Sequence, residues 1–187
     1  MRVIKKYQKK IKLLPLELFQ NPKVTYLEVL APGLEAINPE IESLVNLEFL
    51  SIVSPALKTI PIQITQLKKL KLLRLKDCPI QEFPKISDFW GLEGLFILNG
   101  KLKIFPEGIE NLSKLKSLDL TGNQISSFPK NWPLPKIKRL ILDKNLFEKF
   151  PSCLRELKFL QHLALEKNQF SKEVKKQLED EFNIQIE

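Results

Sequence analysis

The stretch 115-LKSLDLTGNQISSFPKNW-132 has a counterpart one period later in 137-IKRLILDKNLFEKFPSCL-154 and one period earlier in 92-LEGLFILNGKLKIFPEGI-109. Starts at 92, 115 and 137 give a spacing of 23 and then 22 residues. Aligned, the unit reads L-x-x-L-x-L-x-x-N-x-I-x-x-F-P-x-x-I-x-x-L-x-x. Its L-x-L core alternates apolar and polar, the pattern of a short strand with one buried face. The Asn that follows offers amide donors and an acceptor oxygen to a turn whose neighbours above and below carry unpaired backbone groups. The apolar residues further on, around Phe-Pro, fill the back of a coil. Such a coil packs only against its neighbours, so a stack of them is needed to bury a core.

The register extends in both directions. Units open at Val24, Leu47, Leu70, Leu92, Leu115, Ile137 and Leu160, and a degenerate unit upstream keeps Ile4, Ile11, Leu14-Pro15 and Leu18. This divides a single domain, 1–187, into a degenerate N-terminal repeat or cap (1–23), the repeats (24–169) and a C-terminal cap of helix and strand (170–187). Units are one residue short after Pro84 and after Pro129, which predicts a tighter back segment in each, extended at Trp132-Pro133-Leu134-Pro135. The Phe position holds Ile37, Ile60, Phe83, Phe105, Phe128 and Phe150, a predicted internal spine on the convex side. The Asn position holds Asn123, Asn145 and Asn168, but Pro32, Pro55, Cys78 and Gly100 before them. An amide ladder is therefore expected only through the C-terminal coils, with differently bonded turns before it. In the cap, Ser171 is expected to start a helix through about Glu181 that aligns Val174, Leu178 and Phe182, with Asn183 turning the chain into a strand at Ile184-Gln185-Ile186.

With these residues in place, Leu118-Asp119-Leu120-Thr121-Gly122-Asn123-Gln124-Ile125 with Phe128-Pro129, and Leu140-Ile141-Leu142-Asp143-Lys144-Asn145 with Phe150-Pro151, resemble the leucine-rich-repeat family. The resemblance runs from about residue 11 to about residue 170. The Phe-Pro variant, the lysine-rich composition and the short charged terminal helix are similar to bacterial, particularly spirochaetal, members. The resemblance implies an α/β fold: a right-handed curved solenoid with a parallel β-sheet on its concave side and short 3-10 or extended segments on its convex side. It also implies use as a protein-binding surface, without specifying a partner.

Composition narrows the function. The net charge of +8 suggests nucleic acid or an anionic surface as an electrostatic alternative. Yet the lysines are dispersed over the N-terminal tip (Lys5, Lys6, Lys9, Lys10, Lys12), the coil junctions (Lys68, Lys69, Lys114, Lys136, Lys158) and the tail (Lys172, Lys175, Lys176). That dispersal makes nucleic acid the weaker reading. Cys78 at the turn and Cys153 on the back lie three coils apart, at about 4.8 Å per coil, beyond the reach of a disulfide. Both are expected to be reduced thiols, Cys78 facing inward. No apolar run approaches bilayer length. Met1 to Lys12 is basic with no hydrophobic stretch after it, so the given sequence shows no signal peptide and leaves the compartment open, secretion or surface display included. No phosphate-binding glycine loop, metal-ligand set or cofactor motif is visible, and no small-molecule substrate is expected. Asp143 and Glu166 share a column near the spacing of paired catalytic carboxylates, but they lie beside Lys144 and Lys167 on an open sheet. His162 has no cysteine within reach.

Function is left to the columns that the fold does not constrain. In each strand the residues between the leucines face the concave side. They run Tyr26, Phe49, Leu72, Gly94, Ser117, Arg139, His162; then Glu28, Ser51, Arg74, Phe96, Asp119, Ile141, Ala164; then Leu30, Val53, Lys76, Leu98, Thr121, Asp143, Glu166. Tyr26, Leu30, Phe49, Val53, Leu72, Phe96 and Leu98 are expected to form an apolar patch. Tyr26, Phe49 and Phe96 are its expected anchors, with Arg74 and Lys76 as polar rim.

Overall fold

The computed structural model describes residues 1–8, 11–129 and 136–186. The segment Trp132-Pro133-Leu134-Pro135 and the tip residues Lys9 and Lys10 lie outside them. Eight parallel strands form one sheet in chain order: β1 (Arg2–Lys6), β2 (Tyr26–Leu30), β3 (Phe49–Val53), β4 (Leu72–Lys76), β5 (Gly94–Leu98), β6 (Ser117–Asp119), β7 (Arg139–Ile141) and β8 (His162–Ala164). Tyr26 faces Phe49, Phe49 faces Leu72 and Leu72 faces Gly94, so the sequence columns are the rungs of the sheet. The intervening residues turn inward, and Leu50, Ile52, Leu73, Leu75, Leu95 and Ile97 are fully buried.

The back of the solenoid is made of 3-10 helices, Leu16–Phe19, Pro39–Ser43, Ile62–Gln66, Ile109–Asn111 and Ser152–Glu156. Pro15, Pro61 and Pro151 stand immediately before three of them, where a ring-fixed φ suits the turn and the missing N–H costs nothing. The shortened unit after Pro84 forms no 3-10 helix; buried Ile86 and Phe89 fill its back instead. Of the expected spine, Ile37, Ile60 and Phe105 are buried and Phe83, Phe128 and Phe150 partly so, with the ring centroids of Phe105 and Phe128 5.4 Å apart. Phe147 joins it 4.8 Å from Phe128.

The turns divide as expected. In the C-terminal coils Asn123 donates to Ile97 O and Leu120 O, Asn145 to Leu120 O and Leu142 O, and Asn168 to Leu142 O and Leu165 O. Their Oδ1 atoms accept from the amides of Leu102, Ile125 and Phe147. The residue before the Asn column is left-handed at Asp77, Asn99, Gly122, Lys144 and Lys167. At Ala31 and Ser54 it is not, because each precedes a proline, which favours extended backbone in the residue ahead of it. There the buried Ser54 hydroxyl donates to Leu34 O at 2.9 Å instead. Cys78 is inward as expected, its thiol reaching Lys76 O at 3.3 Å and Ile52 O at 3.8 Å.

Both ends depart from the sequence reading. At the N-terminus an eighth strand, β1, pairs with β2, and Ile4 lies opposite Glu28 on the concave side, 47% exposed, instead of joining the core. Val3 packs against the core opposite Leu27, and Lys5, opposite Val29, stays exposed. At the C-terminus α1 (Lys172–Phe182) forms, capped by Ser171 Oγ accepting from Val174 N and ended by left-handed Asn183. Ile184-Gln185-Ile186, expected as a strand, pairs with nothing in the sheet. Ile186 is buried all the same, and its N–H goes to Glu179 Oε1 at 3.1 Å.

Candidate functional site: the concave face

Alternation fixes which side chains stand on the concave face, and pairing fixes their neighbours. Tyr26 and Phe49, adjacent on β2 and β3, stack with centroids 4.2 Å apart and planes within 1° of parallel. The guanidinium of Arg2, one strand earlier, lies 4.4 Å from the centre of the Tyr26 ring. Tyr26 Oη donates to Glu28 Oε2 at 2.9 Å. Cation, phenol and phenyl ring thus form a continuous stack across three strands, in which the ring quadrupole attracts the guanidinium and the two rings cover each other's apolar faces.

Leu72 continues the same row, and Gly94 follows it. Gly94 is buried because Phe96 folds its ring over it: a Cβ on Gly94 would meet Phe96 Cε2 at 2.8 Å. The missing side chain therefore seats the ring expected as the third anchor. Leu30, Val53, Lys76 and Leu98 form the parallel row along the strand ends. All nine expected site residues, Arg74 included, are half-buried and lie on one face. Ser51, between Glu28 and Arg74, is buried, so the face dips there.

The sequence reading did not place Arg2, Ile4 or Lys6 on this surface. Arg2–Lys6 carries no leucine pair, so its only signal was a weak alternation. The edge strand lies in the plane of the sheet and does not fold across the patch.

Beyond β5 the face is mixed, with Ile141 and Ala164 among polar and charged side chains. Asp119 accepts from the Thr121 hydroxyl at 2.6 Å and from its amide. Asp143 Oδ1 accepts from the Glu166 amide at 2.8 Å, which commits that carboxylate to holding adjacent coils together. Burial pushes the Cys78 thiol up to about 11 and raises the Cys153 thiol as well, so both are held as poor nucleophiles. Among the described residues no three His, Cys, Asp or Glu side chains gather as a metal ion would require. No helix there is long and apolar enough to cross a membrane.

The charge at the strand entrances is organised. Lys71 Nζ lies 2.7 Å from Glu48 Oε2, and Lys116 Nζ 2.6 Å from Glu93 Oε2. The hydrogen bond from each lysine lowers the pKa of its glutamate. Lys12 pairs with Glu35 and Lys85 with Glu107 in the same coil-to-coil manner.

Comparison with known proteins agrees with this architecture. A family model described as Leucine Rich Repeat matches residues 114–133. Among solved structures, a leucine-rich-repeat protein of Leptospira interrogans is 32% identical, with a TM-score of 0.70 over 87% of this chain and 48% of its own. The chain thus spans about half the length of that relative. A TDR receptor is 22% identical, with a TM-score of 0.68 over 82% of this chain and 28% of that one. An internalin from Listeria monocytogenes is 19% identical, with a TM-score of 0.61 over 90% of this chain and 62% of that one. At those identities the last two show a common fold alone. No curated protein matches the chain.

Proposed function

The chain belongs to the leucine-rich-repeat family, and on that premise we propose that it is a non-catalytic module that binds a protein partner through the N-terminal half of its concave face. The observation that carries this reading is the Tyr26–Phe49 stack, continuous with Leu72 and Phe96 on an open sheet. Aromatic rings rimmed by Arg and Lys, half-buried before any partner arrives, are the composition of interface hot spots. They are held on strands and so need little ordering on binding. The Leptospira relative supports a bacterial setting, and the proposal extends to a host or surface protein as the partner.

The lysine-rich alternative is weakened by the dispersal of its lysines over tip, junctions and tail; the coil-to-coil ion pairs engage Lys12 of those clusters and otherwise Lys71, Lys85 and Lys116. Phe49→Asp with Phe96→Asp is expected to abolish binding to an identified partner while the far-ultraviolet circular dichroism stays unchanged. Unchanged affinity would remove the reading. An affinity that instead collapses about a thousandfold between low and physiological salt would favour the electrostatic one.

A further inference from the structure

The apolar patch encloses a cation, Arg74, for which the described residues supply no counter-charge. Arg74 is half-buried on β4, between Ser51 on β3 and Phe96 on β5, with Leu72 and Lys76 beside it on its own strand. A guanidinium carries five N–H donors in a rigid fork. Arg74 makes a long contact, Nη1 to Ser51 Oγ at 3.5 Å. Arg155, by contrast, is held by Glu181 at 2.7 Å, and Lys71 and Lys116 by Glu48 and Glu93. Among the described residues no carboxylate pairs with Arg74.

The charge around it is one-sided. Arg2, Lys6, Arg74 and Lys76 stand in the concave columns of β1 to β4, against the single carboxylate Glu28. Glu28 is two strands from Arg74 and already accepts from Tyr26 Oη. An unpaired cation ringed by rings and aliphatic chains loses hydration when a partner covers it. Covering is favourable only if the partner brings the counter-charge.

Resting on the concave-face reading, we propose that the partner presents an extended segment with an aromatic or large aliphatic side chain and, two residues on, an Asp or Glu. The apolar side chain sits against Phe49 and Leu72, and the carboxylate is taken by the Arg74 fork with Lys76 beside it. Geometry sets the spacing. Phe49 and Arg74 are one strand and two residues apart, roughly 8 Å from spacings of about 4.8 Å across the sheet and about 3.3 Å per residue along it. An extended chain carries side chains on one face about 6.7 Å apart, which long side chains extend to that distance.

The test is selection of a displayed random heptapeptide library on the immobilised full chain at physiological salt. Enriched peptides are expected to carry an acidic residue two positions after a large apolar one. Synthetic copies are expected to bind Arg74→Gln about tenfold more weakly, the range of one lost charge-assisted hydrogen bond. Arg74→Glu with Lys76→Glu is expected to enrich Lys or Arg at the acidic position. Peptides that need Phe49 and Phe96 but show no acidic preference would overturn the carboxylate inference and leave the concave reading intact. So would an acidic preference that persists in Arg74→Gln with Lys76→Gln. Peptides bound equally by Phe49→Asp with Phe96→Asp would overturn both, and a library that enriches nothing over bare support would overturn recognition of an extended segment.

Discussion

Gly94 controls the concave face through an absence. Its hydrogen leaves room for the Phe96 ring, and the atom that a new methyl would meet, Cε2 at 2.8 Å, is the far end of a side chain that can rotate away. Gly94→Ala is therefore expected to leave the melting temperature nearly unchanged while displacing an anchor, so that a Phe96-dependent partner binds several-fold more weakly by calorimetry. Cys78 makes the opposite case, a side chain committed inward. Burial, the largest cause, lifts its thiol from 9.0 to about 11, about a hundredfold less thiolate near neutral pH than in an exposed cysteine. Iodoacetamide is expected to alkylate Cys153 first and Cys78 only on unfolding; equal rates in the folded protein would contradict the inward turn. The sign of the linkage follows. The folded thiol keeps its proton where the unfolded one has lost it, so this contribution to stability is complete below about pH 9 and declines as pH rises toward about 11.

At the scale of the element, turns and strands differ in how they were legible. The Asn column could be read because one residue type does one task, bridging carbonyls of neighbouring coils while its oxygen takes an amide. Asn145→Ala strands those buried groups, and a loss of about 3 kcal/mol in urea unfolding is expected. An effect below about 1 kcal/mol would mean that water replaces the amide. The Pro32 and Pro55 turns were legible as exceptions, but not the Ser54 hydroxyl bond that stands in for the ladder. Strand faces were legible because a period of two assigns every side chain to a side. Strand partners were legible wherever the leucine pair set the register, and not at the N-terminal edge. Arg2–Lys6 lacks the leucine pair and became a strand only through backbone pairing with β2, which brought Arg2 onto Tyr26. Ile184 to Ile186 shows the converse, alternation without a ladder. Alternation describes burial, and burial of Ile186 against the cap satisfies it without a neighbouring strand.

Across the whole molecule, each coil touches mainly its neighbours, so stability and function are arranged along one axis. The candidate site occupies β1 to β5, whereas the core beneath β8 is closed by α1, where Leu178 is fully buried, Phe182 lies 6.3 Å from Phe150 and Arg155 holds Glu181. A bundle with one central core would transmit damage at the cap everywhere. A stack confines it, because the interfaces between the early coils keep all their contacts. Leu178→Ala leaves a cavity in the cap and is expected to cost about 3 kcal/mol. Amide exchange should accelerate in β7 and β8 first, with β2 to β4 retaining the protection of the unmutated protein. Binding through Phe49 and Phe96 should then change by less than about twofold at temperatures where the C-terminal coils already open. Exchange that rises uniformly through all strands, or binding lost in step with the cap, would show that the solenoid folds as one cooperative block and that its concave site depends on the far end of the chain.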